Sequence, residues 1–170
     1  MENKKNNPTK NSTLAGRKRT LSRVMAIQIF YQFEFHKKAI PLEDLKSDLI
    51  DHYAISAEDE VRSYRSQIDE TLIQNLIGGM NLAFEEIDTE IKPLLKNAAE
   101  LSDMLLQIIR FGAFELKFSK NIALKIIINE YLDIASFFFA DKQVKFVNSI
   151  LEKLAQKYRE EELTKTKKND

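Results

Sequence analysis

The chain has no cysteine, which excludes disulfides, thiolate zinc sites and a cysteine nucleophile. Four glycines and three prolines in 170 residues leave too little turn punctuation for an all-β protein, which needs a turn roughly every 8–12 residues. The two histidines, His36 and His52, are 16 positions apart and lack the i,i+4 spacing of a helical ligand pair. Both read as surface residues near helix ends. No apolar run approaches the ~20 residues of a bilayer span, and the N-terminus has no secretory apolar region. The cytoplasm is therefore the expected location, with no membrane partner. A phosphate-cradling glycine loop is also missing, since Gly78-Gly79 lacks both the spacing and the following Lys-Ser/Thr. Glu85, Glu86, Asp88 and Glu90 form the charge run of a solvated helix face. No motif assembles a nucleophile, a base and an orienting group, so the chain reads as a non-enzyme without cofactor or metal.

What is present is a balance of 44% apolar and 31% charged residues, with a length suited to one domain with a sizeable core. The net charge is zero, but its distribution is uneven. Residues 1–23 carry Lys4, Lys5, Lys10, Arg17, Lys18, Arg19 and Arg23 against Glu2, a local +6, so the remainder sums to −6. A basic arm on an acidic body is the asymmetry of a tail that meets phosphate. Residues 1–16 are polar and nearly free of large apolar groups, which predicts a disordered arm.

Apolar residues then recur at helical spacing. Leu21, Val24, Met25, Ile27, Ile29, Phe30 and Phe33 predict a helix from Thr20 to about Phe35. Pro41 suits a helix N1 position, ahead of Leu42, Leu45, Leu49 and Ile50, and 52–57 reads as a connection. Ser56 is a candidate N-cap for a helix from about Glu58 carrying Val61, Tyr64, Ile68, Leu72, Ile73, Leu76 and Ile77. Gly78-Gly79 should break or bend that helix, and a further one follows from Met80 to Leu95. Ser102 is a good N-cap for Asp103–Phe118, a helix apolar nearly all round and so central. Gly112 within it predicts a close helix crossing. Leu124, Ile127, Ile128, Tyr131, Ala135 and Phe138 form the next stripe, and Phe146, Val147, Ile150, Leu151, Leu154 and Tyr158 the last. Asn121 and Asp141 are candidate N-caps for these two helices, and the charged tail 161–170 should fray. The whole reads as all-α, with 17–160 as one helical domain.

Two groups of residues stand out. Arg110, Glu115, Asn129 and Glu130 lie on the two most apolar helices, where unpaired charge costs several kcal/mol. They predict an internal ion-paired or hydrogen-bonded network, with Asn148 satisfying groups at a helix crossing. Phe137, Phe138, Phe139 and Phe146 bracket a turn with Lys142 and Lys145. Four rings in ten residues cannot all face one stripe, so at least one is expected near the surface beside cations, the pairing that single-stranded RNA binders use.

Three segments in order carry a narrower likeness. Arg17-Lys-Arg19, Arg23 and Ala26-Ile-Gln28-Ile-Phe-Tyr31 form a basic entry into a helix. Ile109-Arg110-Phe-Gly-Ala-Phe-Glu115-Leu116 follows, and then Ile128-Asn-Glu130, Ala135 and Lys145-Phe-Val-Asn148. With these segments the chain resembles the NusB transcription antitermination family over roughly residues 17–158. It departs from that pattern at Ala123 and Ser136, where the family often has Pro and Lys, and at Phe139 and Ser149, where it often has Gly. The resemblance implies about seven helices in two abutting small bundles. It also implies a factor that binds boxA-type single-stranded RNA with the ribosomal small-subunit protein NusE, and through them meets the RNA polymerase elongation complex. The implied RNA contacts are Arg17, Lys18, Arg19, Arg23, Gln28, Phe138, Lys142, Lys145 and Phe146, and Tyr31 is the implied partner contact. Two alternatives stay open: an accessory module for ribosomal RNA modification, and a helical protein–protein adaptor without RNA affinity.

Overall fold

The structure, a computed structural model, describes residues 17–55, 67–95 and 101–167. Seven α-helices span the described residues: α1 Lys18–Phe35, α2 Leu42–Ile55, α3 Glu70–Ile91, α4 Asp103–Phe118, α5 Leu124–Phe138, α6 Asp141–Tyr158 and α7 Glu160–Lys167. A 3₁₀ turn, Lys92–Leu95, extends α3 at Pro93. No helix is long and apolar enough to cross a membrane among the described residues.

The helices group as expected. Helix α1 packs on α2 and α3, while α4, α5 and α6 pack on one another. Helix α4 also touches α1 and α3, so it belongs to both bundles. Every residue from Gln107 to Leu116 is buried, which is what a helix apolar on all sides demands. Across the seam, Phe30 of α1 meets Phe111 of α4 edge-on at 5.6 Å, and within its own bundle it meets Phe84 of α3 at 5.8 Å. Ring pairs of this kind add about 0.5–1.5 kcal/mol beyond area burial.

Two glycines set how closely the helices approach. A Cβ on Gly112 would lie 2.8 Å from Leu151 Cδ2 and 3.3 Å from Tyr131 Cγ, so the close crossing expected there is present. Gly78-Gly79, however, does not interrupt its helix, and α3 runs unbroken from 70 to 91. Gly79 instead receives the Phe114 ring, whose Cζ would stand 2.5 Å from an added Cβ. Packing against α4 supplies more than the intrinsic cost of two helical glycines, about 1 kcal/mol each.

Other boundaries also differ from the sequence reading. Helix α2 continues through 52–55, where a connection was expected. The helix expected from Glu58 is absent at 67–69, where the chain turns before α3, and Ser56 to Ser66 lie outside the described residues. Asp69 is the N-cap of α3: its Oδ1 accepts from Leu72 N at 3.0 Å, while its own N–H donates to Ser22 Oγ on α1. Ser102 caps α4 as expected, accepting from Leu105 N at 3.2 Å.

Neither Asn121 nor Asp141 is a cap. The cap positions are Ala123 and Ala140, which have no side-chain oxygen to offer. At α5 the role passes to a distant residue, with Leu124 N donating to Glu162 Oε1 at 2.9 Å. The expected fraying tail is helical over 160–167, with Leu163 packed on the core.

Arg159 fastens this end of the molecule. Its buried guanidinium donates to the carbonyls of Leu116 (2.8 Å), Ser119 (2.6 Å) and Ile122 (2.6 Å). These carbonyls lie at the C-terminus of α4 and in the turn after it, where helical acceptors run out of intrahelical donors; that of Ser119 also accepts from Ile122 N at 3.1 Å. A cation at that end also suits the helix macrodipole.

Candidate nucleic-acid and partner surface

Helix α1 begins with a charged run, and its periodicity sorts that run into two sets. Arg17, Lys18 and Arg19 are exposed, whereas Thr20 and Arg23 share a stripe with Ile27 and Phe30 and turn inward. Arg23 is therefore not a surface cation, contrary to its expected phosphate contact. Its side chain is 2% exposed and forms a forked pair with Glu115, Nε–Oε2 at 2.6 Å and Nη2–Oε1 at 3.0 Å. Nη1 reaches Glu130 Oε2 at 3.2 Å, and Thr20 Oγ1 donates to that same oxygen at 2.7 Å. Tyr131 completes the cluster by donating from its hydroxyl to Glu115 Oε2 at 2.8 Å.

Burial pulls the Arg23 pKa down, but the hydrogen bond and charge of Glu115 outweigh it, and the net shift is upward. Burial pushes the Tyr131 hydroxyl up as well, with Glu115 reinforcing the shift. Both effects keep Arg23 charged and the Tyr131 hydroxyl neutral through neutral pH.

The expected network thus divides. Glu115 and Glu130 share the Arg23 cluster, while Arg110 turns to Asp88 (Nε 3.0 Å, Nη2 2.5 Å) beneath the Phe84 ring. Asn129 is exposed on α5, and Asn148 binds Glu152 on its own helix at 3.0 Å. Thr20, Tyr131 and Asp88 were missed by the sequence reading. The signal for the first was available, since Thr20 and Arg23 lie three apart on the buried stripe of α1.

The remaining candidates are at the surface or its margin. Arg17 Nη1 pairs with Asp133 Oδ2 at 2.7 Å, and this hydrogen bond holds the Arg17 pKa above its ordinary value. The pair lays the start of α1 beside α5, one turn before the aromatic segment. There Phe137 and Phe138 are 59% and 37% exposed and meet edge to face at 5.1 Å. Phe139 and Phe146 are half-buried against the core, so the rings divide two and two. Lys142 and Lys145 are exposed on the first turns of α6, whose N-terminus lacks a side-chain cap. Gln28 is half-buried on α1. Tyr31 is half-buried too, stacked on the exposed Phe35 with ring centroids 6.3 Å apart. That places it at a surface and not in the core.

Comparison with known proteins agrees with this architecture. A model of the NusB family matches residues 20–156. The transcription antitermination protein NusB of Marinobacter nauticus is 32% identical over 142 residues, spanning 83% of this chain and 82% of that protein. Its counterpart in Marinomonas sp. is 30% identical over 146 residues, spanning 85% of this chain and 78% of that protein. The solved structure of T. maritima NusB superposes with a TM-score of 0.67 at 23% identity, covering 86% of this chain and 96% of that one, and so shares the fold. With the family model covering most of the chain and these relatives each covering more than four-fifths of it, this protein belongs to the NusB family of transcription antitermination factors.

Proposed function

We propose that the chain binds boxA-type single-stranded RNA together with NusE, the ribosomal small-subunit protein, and holds the RNA near the elongating polymerase during ribosomal RNA transcription. The observation that carries the RNA half is the Arg17–Asp133 pair, which joins the basic start of α1 to α5 one turn before the exposed Phe137–Phe138 pair. In this reading, cations of the α1 start and of the first turns of α6 serve one RNA strand together with the exposed Phe137–Phe138 pair. Lys18, Arg19, Lys142 and Lys145 supply phosphate contacts, with Arg17 joining them once it leaves Asp133. Phe137 and Phe138 offer faces or edges to bases, each stacked base being worth about 1–3 kcal/mol. The uncapped N-terminus of α6 adds free N–H donors for a phosphate. Gln28 and Phe146, both half-buried, complete the proposed RNA contacts.

Tyr31 and Phe35 form the partner face, with apolar area, a hydroxyl and little rotamer entropy to lose. Function here is assembly: each weak contact raises the effective concentration for the next, and no covalent step is needed. A mobility-shift experiment tests the reading by comparing a boxA-like strand with a scrambled one, with and without NusE. Preference for the boxA-like strand that strengthens with NusE supports it. Equal binding of both strands in the presence of NusE would overturn it.

A further inference from the structure

A groove of about 270 Å³ opens beside Tyr31, between the C-terminal half of α1 and the N-terminal half of α4. Its walls carry Tyr31, Glu34 and Phe35 from α1, and Asp103, Gln107 and Arg110 from α4. The polar atoms on these walls are mostly acceptors. Gln107 is 2% exposed, yet its Oε1 accepts no hydrogen bond. Glu34 Oε1 is also buried without a hydrogen bond, although Lys38 Nζ stands 3.5 Å away. Asp103 adds a second carboxylate at the rim. The one cation on the walls, Arg110, is already engaged by Asp88 on α3. A buried acceptor left unmade costs about 1–3 kcal/mol, so the groove favours a ligand that brings donors.

We propose that this groove receives an arginine side chain of the partner protein. The proposal rests on the reading of Tyr31 as the partner face and names the chemical group which that face selects. Arginine fits better than lysine because the acceptors stand on two walls, Glu34 on one and Gln107 with Asp103 on the other. A planar fork with five N–H donors meets several diverging acceptors at once, whereas an ammonium is a point charge. The Tyr31 and Phe35 rings, 21° from coplanar, provide a surface on which a guanidinium stacks. RNA is disfavoured here, since two carboxylates repel phosphate.

The test titrates N-acetyl-arginine methylamide into the full chain and follows the Gln107 side-chain amide and the Tyr31 ring by NMR. The citrulline analogue, of the same shape without charge, and the lysine analogue serve as controls. Saturable shifts with arginine alone are expected. No shift, equal shifts with citrulline, or equal shifts with lysine would overturn the proposal. In parallel, Gln107→Met and Glu34→Gln, both close in shape to the original residue, are tested for NusE affinity. With helicity and melting unchanged, each should weaken the complex about 10- to 100-fold, the range for a hydrogen bond to a charged group. If NusE binds and neither variant weakens it, the arginine site falls while the functional reading stands. If NusE fails to bind but the arginine amide enters, the site stands and the identity of the partner falls.

Discussion

The Arg23–Glu115 pair should dominate the response of this protein to mutation, and Glu115→Gln is the cleanest perturbation. It preserves shape and an acceptor for the Tyr131 hydroxyl while removing the charge opposite a guanidinium that is 2% exposed. Breaking a buried pair costs about 3–5 kcal/mol. Glu130, whose oxygen remains 3.2 Å from Nη1, keeps the expected loss near the lower end, about 3 kcal/mol. For a chain of this size that lowers the Tm by roughly 6–12 °C. Urea unfolding followed by circular dichroism measures it, with an unchanged m-value as the control for a common unfolded state. Arg23→Met should also be strongly destabilising, because it leaves the Glu115 carboxylate buried opposite no guanidinium. The double variant Arg23→Met with Glu115→Gln should regain at least half the loss of the worse single change, because no uncompensated charge remains. A loss below about 1 kcal/mol for Glu115→Gln, the value of an exposed pair, would refute the argument.

Three further outcomes are expected. Replacing Arg17, Lys18 and Arg19 by Ala should weaken RNA binding and flatten the salt dependence by roughly 0.7 per lost phosphate contact, whereas Arg23→Met should leave the slope unchanged. Gly78→Ala, where an added Cβ meets nothing within 4 Å, should stabilise by about 1 kcal/mol; Gly79→Ala should destabilise by about 1–3 kcal/mol because the Phe114 ring must move, and thermal melts of the pair read the contrast directly. Burial acts to raise Glu90, but hydrogen bonds from Lys117, Tyr158 and Lys157 outweigh it and hold its pKa down to about 2. Its stabilisation is therefore present above the ordinary carboxylate value of 4.5 and is lost as pH falls toward 2, so acid titration of Glu90→Gln should show a shallower decline over that window.

The helices were legible wherever one chemical signal dominated. Ser102 and the all-round apolar run marked both ends of α4, and Gly112 announced its crossing. The misread places are those where a distant residue overrides the local signal. Gly78-Gly79 looks like a break until Phe114 of α4 fills the space above it. Asn121 looks like a cap, yet α5 is capped by Glu162, 38 positions on from Leu124. At the candidate surface, spacing required only that at least one of four rings lie outside the core near Lys142 and Lys145; Phe137 and Phe138 are the exposed ones, whereas Phe146 is half-buried. Arg23 was drawn into the basic run by adjacency, although its three-residue step from Thr20 and four-residue step to Ile27 assign it to the interior. The groove at Tyr31 had no sequence signal, because Glu34 and Gln107 come from helices 73 positions apart and only the crossing of α1 and α4 makes them neighbours.

The Arg159 contact with α4 has a bearing on synthesis as well as on stability. The carbonyl it caps at Leu116 belongs to the hub helix, but the guanidinium is 43 positions later in the chain. At translation rates of roughly 5–20 residues per second, that separation is a delay of about 2–9 s. Throughout that interval the Leu116 carbonyl lacks its Arg159 donor. The hub of the molecule is thus finished by a residue made long after it, and a ribosome stalled between the two leaves a nascent chain whose central helix has no lock.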